Sequence, residues 1–240
     1  MKPNLVPARP SSTAPVALII PALNEELALA NVLEALPRGL FAQIVVVDNG
    51  STDGTARVAR AAGAQVVEEP RHGYGRACLA GLAALDPGIE IVVFMDADGS
   101  DLPAEAVELI EPIVHGEADL VIGSRVRGHA EARSLGWQQR WGNRLAVALI
   151  RLLYGFRYTD LGPFRAIRRS RLEELALRDP DFGWTVEMQV KALRRGLRVR
   201  EVPVSYRVRI GRSKISGTLR GAIRAGAKIL WTIGRLWAAG

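Results

Sequence analysis

Two carboxylates one residue apart, Asp96 and Asp98, follow directly on the apolar run Ile91-Val92-Val93-Phe94-Met95. Such a run reads as a strand buried on both faces, so both side chains project near the rim of a buried element. An uncompensated carboxylate pair there is costly, and a divalent cation is its natural compensation. Mg²⁺ or Mn²⁺ prefers carboxylate oxygens and can bridge them to a diphosphate, stabilising the leaving group as a Lewis acid. The competing reading is that the two acids merely cap the next helix.

Other strand ends carry polar groups too. Pro21-Ala22-Leu23-Asn24-Glu25 follows Val16 to Ile20, and Asp48-Asn49-Gly50-Ser51-Thr52-Asp53-Gly54 follows Ile44 to Val47. Gln65 to Glu68 leads to Gly73-Tyr74-Gly75-Arg76, and Leu120 to Ile122 ends in Gly123-Ser124-Arg125. Asp48 is placed to accept hydrogen bonds from a base or ribose; a turn plus N-cap is the structural alternative. Gly73 and Gly75 suit close backbone approach to a nucleotide, but Cys78 stands where a dinucleotide fingerprint needs a third glycine.

The elements that position these residues alternate. Leu29, Val32, Leu33 and Leu36 recur at helical spacing after the first strand, with Asn24 as the expected N-cap. Further helices are predicted from about Thr55, Gly75 and Ala104. Five short strands separated by helices predict an α/β protein, a mostly parallel sheet flanked by helices, whose ligands collect at the carboxyl ends of the strands. After Gly123 the pattern changes to a helix from about Leu135 to Leu153, a turn at Gly162-Pro163, helices near Arg171 to Leu177 and Thr185 to Arg195, and strands at Val199 to Val202 and Val204 to Arg209. This half is expected to close onto the sheet rather than continue it. The division is a flexible Pro-rich arm over 1–15, one domain over 16–217, and a basic amphipathic helix over 218–240.

The 240 residues are 48% hydrophobic and 24% charged, which argues against disorder and fibrous repeats. A lone cysteine, Cys78, cannot form an internal disulfide and is expected as a small core residue, while the absence of a leader pattern points to the cytoplasm. The apolar stretches Leu145 to Phe156 and Ala222 to Ala239 are both cut by Arg or Lys, so no bilayer-spanning helix is expected. His72, His115 and His129 lack metal spacing. The net charge of +7 is unevenly placed: from Lys191 onward there are 13 Lys or Arg and one acid, Glu201. Nucleic acid, an anionic membrane and phosphorylated substrates are all partners for such a tail.

Taken together, Ile19-Ile20-Pro21-Ala22-Leu23-Asn24-Glu25, Val46 through Thr55, and Asp96-Ala97-Asp98 resemble glycosyltransferase family 2, with the inverting GT-A fold. Within it the chain is most similar to the dolichol-phosphate mannose synthase group, which moves a sugar from a nucleotide diphosphate to a polyprenyl phosphate. That likeness extends to Gly123-Ser124-Arg125, Thr159 through Arg165, and Glu201-Val202-Pro203-Val204 followed by Arg207 and Gly211-Arg212-Ser213-Lys214. The resemblance implies a nucleotide-sugar site of Pro21, Ala22, Asn24, Glu25, Asp48, Asn49, Asp53, Gly75, Arg76, Asp96, Ala97 and Asp98. It implies an acceptor-phosphate site of Ser124, Arg125, Arg165, Arg207 and Lys214, with Mg²⁺ or Mn²⁺ on Asp96 and Asp98. Ser100 stands where the group usually has Gln, the position left for a third ligand, and Pro163 where Ser is common.

A phosphate monoester is already an oxyanion at pH 7, its second pKa being about 6, so basic residues to position it suffice. A hydroxyl acceptor needs a carboxylate base, for which Asp160 and Glu187 are the candidates. A sugar nucleotidyltransferase is the nearest rival but shows a basic Gly-rich loop after strand one, where this chain has Glu25. A nucleic-acid-binding module would explain the tail but not the acidic strand ends. On the last helix Arg220, Arg224, Lys228 and Arg235 fall within about 80° at 100° per residue, and Arg140, Arg144 and Arg151 share a face of the helix from Leu135. Basic and apolar faces with Trp231 and Trp237 predict peripheral contact with the cytoplasmic face of an anionic membrane.

Overall fold

The computed structural model describes residues 14–132, 134–211 and 219–238. Lys214 and nearly all of the N-terminal arm lie outside these residues. The chain runs β1 (Val16–Ala22), α1 (Glu26–Glu34), β2 (Gln43–Asp48), α2 (Thr55–Ala61), β3 (Gln65–Glu68), α3 (Tyr74–Ala83), β4 (Ile91–Phe94) and α4 (Ala106–Val114). It continues β5 (Leu120–Ser124), α5 (Trp137–Tyr154), β6 (Arg165–Arg168), α6 (Arg169–Leu175), α7 (Gly183–Arg194), β7 (Val199–Pro203) and α8 (Leu219–Ala238).

One seven-stranded sheet has the order β3-β2-β1-β4-β6-β5-β7. All pairings are parallel except those of β6, which runs antiparallel between β4 and β5. Alternate residues of each strand enter opposite cores. Ile19, Val47, Phe94 and Ile122 pack with Trp184 of α7 and Ile233 of α8, whereas Leu18, Val46, Val93 and Val121 pack with Leu29 of α1 and Leu109 and Ile110 of α4. Burial on both faces is why these strands read as unbroken apolar runs.

Three expectations need correction. The second half does continue the sheet, because β6 inserts between β4 and β5 and β7 extends the edge. Val204 to Arg209 is not a strand: only Tyr206 forms bridges, to Asp101 and Ala130, as the segment leaves the sheet and crosses the loop after β4. Asn24 does not cap α1; it holds φ +52 and its side-chain oxygen accepts the Thr52 N–H at 2.7 Å, tying the loops after β1 and β2 together. The last helix, α8, packs on the domain. Thr232, Ile233 and Leu236 are buried, Lys228 Nζ lies 2.8 Å from buried Asp179, and Tyr154 of α5 donates to the Ile233 carbonyl.

Candidate active site

Strand register brings the polar strand ends together. Ala22 pairs with Asp48 and Ile19 with Phe94, so the chain beyond β4 carries Asp96 alongside Pro21. A pocket of about 380 Å³ opens there, lined by Pro21, Ala22, Glu25, Asn49, Gly73, Asp96, Ala97 and Asp98. Leu23, His72, Tyr74, Asp181, Phe182, Arg209 and Arg224 complete its wall.

The acidic loop is rigidly held. Asp98 Oδ1 accepts the Ser100 N–H at 2.9 Å and the Ser100 hydroxyl at 2.5 Å. Ser100 is itself fully buried and outside the pocket lining, and through these two bonds it positions Asp98. The segment after β7 clamps the loop from above, with Arg207 N–H on the Ser100 carbonyl at 2.8 Å and Ile210 N–H on the Asp98 carbonyl at 2.9 Å.

Burial, and the Asp98 carboxylate next to it, push the Asp96 carboxyl up to about 7. Burial and the same two neighbours also raise Asp101, whose Oδ1 has no hydrogen-bond partner. Such a cluster calls for positive charge, and a divalent cation fits it. Among the described residues no three His, Cys, Asp or Glu side chains form a metal-binding group.

One cation already faces the acids. Arg209 Nη2 lies 3.1 Å from Glu25 Oε1 and 3.2 Å from Asp98 Oδ2. Sequence reasoning missed Arg209 and chose Arg207, which is exposed and outside the pocket lining. Strand alternation would put the two arginines on one face, so the pattern could not separate them; the crossing over the acidic loop does. Arg224, read as part of the basic stripe of α8, also reaches the donor pocket.

Arg125 is held by buried Asp160: its backbone N–H and Nε donate to Oδ2 at 2.9 and 2.8 Å, and Nη2 donates to Oδ1 at 2.7 Å. Its guanidinium stacks over Tyr206 at 4.9 Å. Both Asp160 oxygens are thus engaged by Arg125. Glu187 is likewise engaged, accepting the Arg178 and Asp179 N–H groups and pairing with Lys191.

Further candidates take structural places. Arg165 is fully buried and donates to the Leu161, Gly162 and Thr185 carbonyls, which shapes the 161–165 turn and keeps it from any acceptor phosphate. Ser124 is buried with its hydroxyl on Thr159 at 2.7 Å. Asn49 donates to the Glu69 and Arg71 carbonyls and accepts the Gly73 N–H, so it fixes the pocket wall. Asp53 accepts the Thr55 and Glu26 N–H groups at the starts of α2 and α1, and Asp48 accepts the Ser51 N–H. Gly75 does meet a close approach, but the partner is the Asp179-Pro180 backbone, to which Arg76 also donates its N–H.

A second cavity of about 530 Å³ adjoins the first and shares Tyr74, Asp96, Asp98, Phe182 and Arg209 with it. It runs between α5 and α8. Arg125 and Tyr206 line its charged end; Gly142, Leu145, Leu161, Pro163, Gly226, Ile229 and Leu230 line most of the remainder, together with Gln138, Gln139, Asn143 and Thr185. One end is therefore charged, and the rest is largely apolar with uncharged polar groups among it.

An acidic loop at the ends of a mostly parallel sheet, with two adjoining cavities beside it, is the arrangement of a sugar-nucleotide-dependent transferase of GT-A type. Residues 17–176 match the Glycosyl transferase family 2 profile, and the chain belongs to that family. It is a glycosyltransferase. An uncharacterized glycosyltransferase of Mycobacterium tuberculosis is 43% identical over 212 residues, 88% of this chain and 94% of the relative. Polyprenol monophosphomannose synthase of Mycolicibacterium smegmatis is 33% identical over 232 residues, 88% of this chain and 85% of the relative. Among solved structures, glucosyl-3-phosphoglycerate synthase from Mycobacterium tuberculosis, in complex with Mn²⁺, UDP and glucosyl-3-phosphoglycerate, superposes with a TM-score of 0.73 at 27% identity. That match covers 92% of this chain and 81% of the other. The same synthase has also been solved with Mg²⁺ and UDP.

Proposed function

We propose that the chain transfers a sugar, with inversion, from a nucleotide-diphospho-sugar to a polyprenyl-type lipid phosphate at the cytoplasmic face of a membrane. The observation that carries this is the groove between α5 and α8, charged beside Asp96, Asp98, Arg125 and Arg209 and apolar along Leu145, Ile229 and Leu230. An amphiphile with a phosphate head fits such a gradient. The relative named for polyprenol monophosphomannose synthesis supports the same acceptor class.

Asp96 and Asp98 would hold Mg²⁺ or Mn²⁺, which when bound supplies Lewis-acid stabilisation of the departing diphosphate. Arg209 and Arg224 line the donor pocket and add positive charge where the leaving group develops negative charge. Arg125, locked by Asp160 and Tyr206, presents a fixed cation to the acceptor phosphate. A phosphate oxyanion attacks the anomeric carbon without a base, consistent with Asp160 and Glu187 both being engaged elsewhere.

Membrane contact is assigned chiefly to α5. Trp137, Trp141, Leu145 and Leu152 are 66%, 64%, 55% and 80% exposed. They fall within about 80° of the helix circumference, beside the exposed Arg140, Arg144 and Arg151. Among the described residues no helix is long and apolar enough to cross a membrane.

The likeness to glucosyl-3-phosphoglycerate synthase favours a second reading, a soluble phosphorylated acceptor attacking through a hydroxyl. A panel of UDP-, GDP- and dTDP-sugars with Mn²⁺, offered either a polyprenyl phosphate or 3-phosphoglycerate, separates the two. Sugar recovered in the organic phase with the lipid alone is the expected result. Transfer to phosphoglycerate alone would replace the lipid reading. Trp137→Ser with Trp141→Ser should abolish flotation with anionic vesicles while sparing donor hydrolysis; unchanged flotation would remove α5 from the membrane contact.

A further inference from the structure

At the far ends of α7 and α8 from the substrate groove lies a separate recess of about 520 Å³. Arg178, Lys191, Arg194, Arg195 and Arg235 line it with one carboxylate, Glu187. The cations converge from three segments: the loop after α6, the end of α7 and the last turn of α8. Glu187 is already satisfied by two backbone N–H groups and by Lys191 at 2.8 Å. Among the described residues no carboxylate pairs with Arg178, Arg194, Arg195 or Arg235.

Basic residues often gather at helix C-termini because they complement the macrodipole, and that accounts for part of the charge. Each helix end contributes about half a negative charge. Three such ends, those of α6, α7 and α8, together with Glu187 offset about half of the five cations, so roughly two to three remain around one concavity. Three of the five cations are fixed in place. Arg194 Nη1 donates to the Leu236 carbonyl at 2.9 Å, Lys191 Nζ donates to the Ala176 carbonyl at 2.8 Å, and the Arg235 guanidinium lies 5.0 Å from the Trp231 ring centre. Ala176, on the rim, holds φ +45, a left-handed conformation that residues other than glycine rarely adopt. Planar guanidinium groups around a recess larger than a bare oxyanion match a phosphate ester carrying a small polar group.

We propose that this recess is a second anion site, distinct from the active site, that binds a phosphate ester. The ester is either the headgroup of an anionic phospholipid or a soluble metabolite of the same chemistry. Glycerol 3-phosphate titrated calorimetrically tests the soluble source. Flotation with phosphatidylcholine vesicles, with and without phosphatidylglycerol, tests the headgroup.

The variant is Arg178→Gln with Arg195→Gln, both exposed and neither in the catalytic machinery. It should bind whichever probe the wild type binds about tenfold or more weakly, with unchanged melting temperature and donor hydrolysis. Loss confined to glycerol 3-phosphate identifies a soluble ligand, and loss confined to phosphatidylglycerol vesicles a headgroup. Equal binding of both probes by wild type and variant overturns the proposal. So does full binding by Arg178→Lys with Arg195→Lys, because a site built on guanidinium geometry would not survive that change while diffuse attraction would.

Discussion

Replacing Gly75 by Ala tests how α3 and the loop before α7 build the donor pocket. A Cβ on Gly75 would overlap the Asp179 carbonyl oxygen and lie 2.9 Å from the Pro180 carbonyl carbon. These are backbone atoms, so no rotamer change relieves the overlap. The next residue pins the same loop, Arg76 N–H donating to the Pro180 carbonyl at 3.0 Å. Overpacking of this kind costs about 1–3 kcal/mol. For a domain of this size each kcal/mol lowers the melting temperature by about 2–4 °C, so a fall of about 2–12 °C is expected.

The loop continues into Asp181 and Phe182, which line the donor pocket, and Phe182 also lines the acceptor groove. A displacement of about 1 Å there should lower donor kcat/KM by up to about 100-fold. Gly142→Ala is the matched control: its Cβ meets nothing within 4 Å and it lies inside α5, so it should stabilise by about 0.5–1 kcal/mol. Thermal melts and donor-hydrolysis kinetics on both variants decide the matter. A wild-type melting temperature in Gly75→Ala, with only donor KM raised, would refute loop packing and return Gly75 to direct nucleotide contact.

Gly142→Leu should fold, fill the groove and stop transfer to lipid while leaving donor hydrolysis intact; normal lipid transfer would exclude the groove as the acceptor path. Asp98→Asn should abolish turnover with an unchanged melting curve, as should EDTA with the wild type, and full activity in either defeats the metal assignment. Truncation before Leu219 should unfold or strongly destabilise the protein in a urea titration, because it exposes the core that Ile233 and Leu236 cover and leaves buried Asp179 without Lys228. Hydrogen bonds from Arg198 hold the Asp119 carboxyl below its ordinary value. A depressed acid stabilises the fold above its unfolded pKa, about 3.9, and that contribution is lost as pH falls through the folded value. Arg198→Gln should therefore narrow the stability difference between about pH 6 and about pH 3 measured by urea unfolding.

Strands β1, β2, β4 and β5 were legible because each is buried on both faces and so appears as an unbroken apolar run. Strand β6 was not, since it is four residues long and bounded by Arg165 and Arg168. An arginine in the middle of a sheet contradicts every composition rule for strands. It is tolerated because three carbonyls accept from the Arg165 guanidinium, a condition created by the turn before it and by α7. Missing β6 made the second half look like a cover instead of part of the sheet.

The same division runs through the site. Asp96, Asp98, Pro21 and Ala22 sit at or just beyond the ends of strands, so chain position alone brings them to one edge. The arginines are different: there are 28 of them, and no local pattern separates the one fully buried in the sheet from those in the site. Arg165 enters the core, Arg207 faces outward, and Arg209 reaches Glu25 and Asp98, across 184 residues of sequence in the first case. What selects Arg209 is the crossing of the segment after β7 over the acidic loop, held by the Arg207 and Ile210 N–H groups. Those bonds are made by backbone, so their formation leaves no trace in residue type. The carboxylates that bind the crossing segment's arginine are therefore readable from sequence, while the arginine itself becomes visible only once the sheet has placed both loops at the same edge.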